Sequence, residues 1–172
     1  MSLKNVELNI FQKGKKEKGE FGECLFTHFG LSGPIVLDMS KRIGERLKMG
    51  EVKLSLDLKP ALDFAVLDKR VQGDFGKYQN KAFKNCLDDL LPRKMIPVMV
   101  QLSGINSEKK VVEVTREERH TLLKLLKGLE MTPTGLLGFD TAIVTSGGVS
   151  LGEIDHKTMR SKVIDNLFFA GE

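Results

Sequence analysis

The chain of 172 residues has no tryptophan, one tyrosine, two cysteines and three histidines, and each shortage removes a class of explanation. With only Cys24 and Cys86, and no secretory leader in view, free thiols are favoured over a disulfide, and a cytoplasmic location is expected. Neither C-x-x-C nor H-x-x-x-H spacing occurs, so no metal site is expected. Scarce aromatics leave little from which to build a base-stacking platform. The longest apolar stretch, Met95 to Leu102, is broken by Pro97 and Gln101 and falls far short of the ~20 residues of a spanning helix, so no membrane partner is expected. The phosphate-binding fingerprints G-x-G-x-x-G and G-x-x-x-x-G-K-[ST] are missing too, so any grip on a dinucleotide must come from elsewhere.

What is present describes a soluble globular chain: 41% hydrophobic and 29% charged residues, enough for one domain or one domain with an insertion. The net charge of +4 is concentrated in "KGKKEK" (Lys13 to Lys18), while Asp88-Asp89 and Glu117-Glu118 interrupt the basic surface elsewhere. Lys13, Lys15, Lys16 and Lys18 admit two readings, a stand-alone nucleic-acid-binding module or the solvated tip of a hairpin whose like charges discourage edge pairing. The second is favoured, and nucleic acid is not expected as a partner. Both ends of the chain read as cut, Met1-Ser2-Leu3 as a short added leader and Glu172 as a stop just after a strand.

Hydrophobic periodicity gives the order of elements. Val6, Leu8 and Ile10 alternate as in a half-buried strand, and Phe21 to Phe29 resumes extended character, so the two form a hairpin. Pro34 opens a helix to about Leu47, capped by Ser32 or Gly33, with Ile35, Val36, Met39, Ile43 and Leu47 on its buried face. Val52 to Leu58 alternates again. Phe64 to Arg70, Lys81 to Leu91 and Ile96 to Ile105 are short helical candidates broken by Pro92 and Pro97. Arg116 to Glu130 is a helix with the Thr115/Glu118 capping box and a leucine stripe. From Met131 the period returns to that of strands with a tight glycine turn, and Lys162 to Ala170 reads as a buried strand. The fold class is therefore α+β: a β-barrel-like or mixed, mostly antiparallel sheet with a helical insertion. Residues 1–60 and 131–160 form the β-rich part, 61–130 the insertion, and 161–172 a separate terminal strand.

Few side chains suggest chemistry. Cys24 and His28 share the predicted strand, where four residues place them ~13 Å apart and exclude a thiol-imidazole pair. At "THFGLSGP" (Thr27 to Pro34) a strand turns into a helix start, which is either an anion-binding spot or a capped tight turn. At "VTSGGVS" (Val144 to Ser150) paired glycines let backbone approach a flat ligand or close a type I′ hairpin. No residue stands out as an acid, base or nucleophile.

Taken together, "GECLFTHFGLSGP", "AIVTSGGVSLGEIDHKTMRSK" and "LFFAGE" resemble the bacterial flavoprotein family of NAD(P)/FAD-dependent oxidoreductases that includes the aminoacetone-oxidase-like enzymes. The resemblance runs nearly end to end and implies a Rossmann-type FAD domain built from both ends of a longer polypeptide. A β-rich domain with a helical insertion is threaded between them, and "LFFAGE" is the returning strand of the flavin domain. It further implies that Thr145, Gly147, Gly148, Gly171 and Glu172 lie toward FAD, and that His28, Gly30, Ser32 and Gly33 line the side of a small-molecule substrate, with NAD(P)H a candidate redox partner. Because the amino-terminal G-x-G-x-x-G is absent, the chain alone is expected neither to retain FAD nor to turn over substrate.

Overall fold

The computed structural model describes residues 1–172 apart from Lys18, Val144, Ser146 and Glu172. By internal contact the chain divides into Met1–Leu136 and Leu137–Glu172.

The first unit runs β1 (Ser2–Gln12), β2 (Lys15–Lys16), β3 (Glu20–Phe26), β4 (Leu31–Ser32), α1 (Pro34–Leu47), β5 (Lys53–Asp57), α2 (Phe64–Lys77), α3 (Ile96–Ser103), α4 (Arg116–Lys127) and β6 (Leu129–Met131). The strands form a curled antiparallel half-barrel in the order β4-β3-β1-β5-β6, with β2 paired to the end of β1. The α+β class read from the sequence is the fold observed.

Central β1 delivers Val6, Leu8 and Ile10 to the core, and Leu54, Leu56 and Leu129 join them from neighbouring strands in register. The β1–β2 turn is made by Lys13 and Gly14, both at positive φ (50° and 74°), as a type I′ turn needs. The lysine cluster does sit at a hairpin tip, with Lys16 Nζ 3.6 Å from Glu7; Lys18 lies outside the described residues. On the other face of β1, Asn9 is buried and its Oδ1 has no hydrogen-bond partner among the described residues. Gly19 passes so close that a Cβ there would stand 2.2 Å from that oxygen.

Helix α1 begins at Pro34 behind Gly33, and buries Ile35, Met39 and Ile43 against β3. Helix α2 runs about two turns beyond the expected Arg70, because Val71, Asp74 and Phe75 continue its buried face past Gly73. Asp74 is tolerated inside because Arg70 Nε and Lys77 Nζ reach it at 3.0 and 3.2 Å. Helix α4 has the expected capping box, Thr115 accepting from the Glu118 amide while the Glu118 carboxylate accepts from the Thr115 amide. Its last lysine ties the helices to the sheet: Lys127 Nζ reaches Asp57 Oδ2 at 2.6 Å and donates to the carbonyls of Lys59 and Leu62 at 3.0 and 2.7 Å. This explains why Asp57, on the outward-facing register of β5, is nevertheless buried.

The helix expected over Lys81 to Leu91 does not form. Only a 3-10 turn, Phe83–Asn85, appears, because this stretch bonds to a distant segment: the amides of Phe83 and Lys84 donate to the carbonyls of Lys109 and Ser107, and that of Val111 to Lys81. Backbone groups engaged across the chain are lost to a local helical ladder.

In the second unit, among the described residues, no strand forms. Its regular structure is limited to 3-10 turns at Phe139–Thr141 and Leu151–Glu153, with isolated bridges Ile154↔Ser161 and Arg160↔Phe168. The strand expected over Lys162 to Ala170 is thus absent among the described residues, and the glycine turn read at Val144 to Ser150 includes Val144 and Ser146, which lie outside them. A strand needs a paired neighbour to satisfy its backbone, and the unit supplies only those single bridges.

Candidate functional site

The turn that links sheet to first helix is organised by Thr27. Strand β3 stops at Phe26, and the Thr27 amide and hydroxyl both donate to Gly30 O, at 2.8 and 2.9 Å. The same hydroxyl oxygen accepts from the Gly30 amide at 3.1 Å. The chain returns as β4, pairing Leu31 with Phe26 and Ser32 with Leu25. His28 and Phe29 are left exposed at the tip, their rings edge to face at 4.9 Å.

Gly33 then holds φ 96°, and a Cβ there would press 3.0 Å from Leu25 N and 3.1 Å from Glu23 O. Only glycine lets the helix start lie this close to β3. At the helix start Pro34 has no amide hydrogen, and the Val36 and Leu37 amides both donate to Gly33 O at 3.0 Å. Ile35 alone of the first turn keeps an amide without a bond among the described residues, so the geometry is that of a capped turn more than of a converging ring of donors. Ser32, half-buried beside it, has a hydroxyl without a protein partner among the described residues.

The structure therefore brings His28, Gly30, Ser32 and Gly33 into one turn. It separates Cys24 from His28 by element, correcting the expectation that both lie in the strand: Cys24 is inside β3, and His28 is beyond its end. Burial pushes the Cys24 thiol up to about 11 and the Cys86 thiol to about 12, so neither is a nucleophile near neutrality. Among the described residues no cluster of His, Cys, Asp and Glu could hold a metal ion, and no helix is long and apolar enough to cross a membrane.

In the second unit, Thr145, Gly147 and Gly148 are exposed. Gly147 and Gly148 hold φ 145° and 110°, with no heavy atom within 4 Å of where a Cβ would stand. This is bare backbone that a flat ring could approach closely. Ser146 and Glu172 lie outside the described residues, and Gly171 holds φ 145°. Downstream, Asp155 closes a turn by accepting from the amides of Lys157 and Thr158 at 2.9 and 3.1 Å, which hold its carboxyl below the usual range.

Sequence reasoning missed two clefts in the first unit. One, of about 430 Å³, lies by the β1–β2 turn and is lined by Lys13, Lys53, Glu51 and Glu130 among others. The other, of about 340 Å³, lies where β1 begins and β5 ends, and contains Lys4 and Lys59. No motif marks either, because their lining residues meet only through strand register.

Comparison with known proteins places this architecture. The chain is 30% identical over 152 residues to a 3-dehydro-bile acid delta(4,6)-reductase of Clostridium scindens, covering 88% of this chain and 37% of the relative. It is 29% identical over 171 residues to a ribosomal RNA dihydrouridine synthase of Haemophilus influenzae, covering 99% and 40%. It is 32% identical over 148 residues to the ribosomal RNA dihydrouridine synthase of Escherichia coli, covering 86% and 35%. The chain thus spans well under half the length of these relatives. The profile of a barrel-and-helix family matches residues 1–144, and the curled sheet with its four helices agrees with it. The chain belongs to the HI0933-like protein barrel and H2TH domain family.

Proposed function

We propose that this chain is the substrate-side region of an FAD-dependent oxidoreductase that reduces a carbon–carbon double bond, inserted into and covering a flavin domain supplied by the rest of a longer parent protein. The observation that carries the reading is the similarity, across 86 to 99% of the chain, to proteins named as a delta(4,6)-reductase and as dihydrouridine synthases. Both names denote addition of two hydrogens to an unsaturated carbon pair. When bound, the flavin supplies the hydride, with NAD(P)H as one source of its electrons.

The residues present fit the edge of such a group. The open backbone at Gly147 and Gly148 and the carboxyl-terminal Gly171-Glu172 would lie along it, with Thr145 beside them. His28, Gly30, Ser32 and Gly33 would stand on the substrate side, where the exposed His28–Phe29 pair covers and orients a small molecule and the rigid Thr27 turn excludes water. A closer kinship with the aminoacetone-oxidase-like enzymes is part of the same proposal. The family assignment does not favour the stand-alone basic module.

The test is a paired FAD titration, by quenching of flavin fluorescence, of this chain and of the full-length protein. The full-length protein is expected to bind and this chain not to, since nothing in it replaces a G-x-G-x-x-G phosphate cradle. Failure of both to bind would overturn the reading, and tight binding by this chain alone would overturn its inserted, incomplete character.

A further inference from the structure

The cleft of about 340 Å³ is built by strand register. Ser2 pairs with Leu25 and Glu7 with Asp57, so the start of β1 and the residues following β5 come to the same end of the sheet, and Lys4 and Lys59 both line the cleft there. The wall is apolar, with Val6, Leu58, Leu90, Leu91 and Met95 among its lining, and no acidic residue lines it. The 430 Å³ cleft, by contrast, balances Lys13 and Lys53 with Glu51 and Glu130 and selects no sign of charge.

Lys59 is held in place by its backbone. Its amide donates to Asp57 Oδ1 at 2.8 Å and its carbonyl accepts from Lys127 Nζ at 3.0 Å. Its own ammonium, half-buried, has no ion pair or hydrogen bond among the described residues. The carboxylate next to it in the chain is committed elsewhere: Asp57 accepts the Lys59 amide and pairs with Lys127 at 2.6 Å. Burial, and then the like charge of Arg70, hold the Lys59 ammonium below its ordinary range. Lys4 adds a second cation whose one partner among the described residues, Glu23, is 3.8 Å away. A half-buried cation without a counter-ion beside an apolar wall is an incomplete arrangement that an organic anion would complete.

We propose that this cleft is a binding site for a small carboxylate with an apolar body, Lys59 serving as counter-ion and the leucine-rich wall taking the hydrocarbon. The inference goes beyond the flavin reading and stands if that reading fails. The volume lies at the small end of the range of ligand pockets, which suits a medium-chain acid.

The probe is sodium octanoate, titrated calorimetrically into the 172-residue chain, with 1-octanol and inorganic phosphate as controls. One-to-one octanoate binding is expected, with octanol and Lys59→Met each weaker by about tenfold or more, the scale of a charge-assisted contact, and with Lys59→Arg retaining affinity. Because Lys59→Met could disturb the β5 end, a second readout uses the unaltered protein: octanoate should protect Lys59 from reductive methylation while leaving Lys13 exposed to it. Octanol binding as tightly as octanoate, phosphate binding as tightly as octanoate, no saturable binding, or methylation of Lys59 indifferent to octanoate would each overturn the proposal.

Discussion

The two units of this chain have similar appetites for apolar residues and opposite fates for them. Every buried hydrophobic residue among those described lies between Leu3 and Leu129. From Leu137 onward most of the large apolar side chains among the described residues stand in solvent: Phe139 is 83% exposed, Leu151 85%, Ile143 79% and Phe168 60%, while Ile154 and Phe169 are half-buried. Yet the second unit has ordered backbone. The Ser161 amide donates to Leu167 O, that of Phe169 to Met159 O, and that of Lys162 to Glu153 O, all at 2.8 Å. The difference teaches that local hydrogen bonds suffice to shape nested turns, whereas a core requires a second layer to close on. Exposed apolar area of this kind marks a surface that fits another surface.

The sharpest way to break this comparison is to excavate the first unit. Leu8 is fully buried on the central strand, and Leu8→Ala should cost about 2–5 kcal/mol, read as a lowered urea midpoint at unchanged slope. A loss under about 1 kcal/mol would mean that the half-barrel is not the stabilising core described.

A smaller effect separates the units by pH. The Asp68 carboxyl on α2 is held below the usual range chiefly by the hydrogen bond from Arg119 of α4, whose Nε stands 2.7 Å away. Since the folded value is depressed, the contribution is present above the ordinary 3.8 of the free side chain and is lost as pH falls through the lower folded value. Asp68→Asn should therefore cost up to about 1 kcal/mol near neutrality and lose less than the unaltered protein on acidification from pH ~5 to ~2. Asp155, whose carboxyl is lowered by turn amides, closes only a local loop, so Asp155→Asn should leave the global unfolding curve unmoved in the same window. Identical acid limbs for Asp68→Asn and the unaltered protein would refute the link between α2 and α4.

The parts of the fold legible in the sequence are those set by near neighbours. Pro34 at a helix start, the Thr115/Glu118 box, the alternation of Leu54 and Leu56 and the stripe of Ile35, Met39 and Ile43 each need only a few residues to be recognised, and each appears where expected. What was illegible depends on distant partners. Lys81 to Leu91 has helical composition but bonds to residues 107–111; Asp57 reads as an outward strand position but meets Lys127 from the far end of α4. Lys162 to Ala170 has the composition of a buried strand without the neighbour that would make it one. The Thr27 turn was half legible: its glycines announced a turn, while the hydroxyl that closes it and the end of β3 before His28 did not. The Lys4–Lys59 cleft had no local signature at all, being a product of pairing register.

A small expected effect is the most informative about the second unit. Phe168 takes part in an isolated bridge with Arg160 through its backbone, while its side chain is 60% exposed. If that ring is surface held in reserve for another partner, replacing it changes nothing the chain needs for its own stability. Phe168→Ser should shift the unfolding free energy by no more than about 0.5 kcal/mol, in contrast to the truncation of Leu8. The same substitution should reduce binding of an apolar dye and concentration-dependent light scattering, because it removes a large ring from a unit that also exposes Val163 and Ile164. A destabilisation above about 1 kcal/mol would show that the ring already contributes to a packed core, and the contrast between the units would fail. Unchanged stability with reduced dye binding would leave the apolar surface without a structural role inside this chain, so that its composition is explained only by something that covers it.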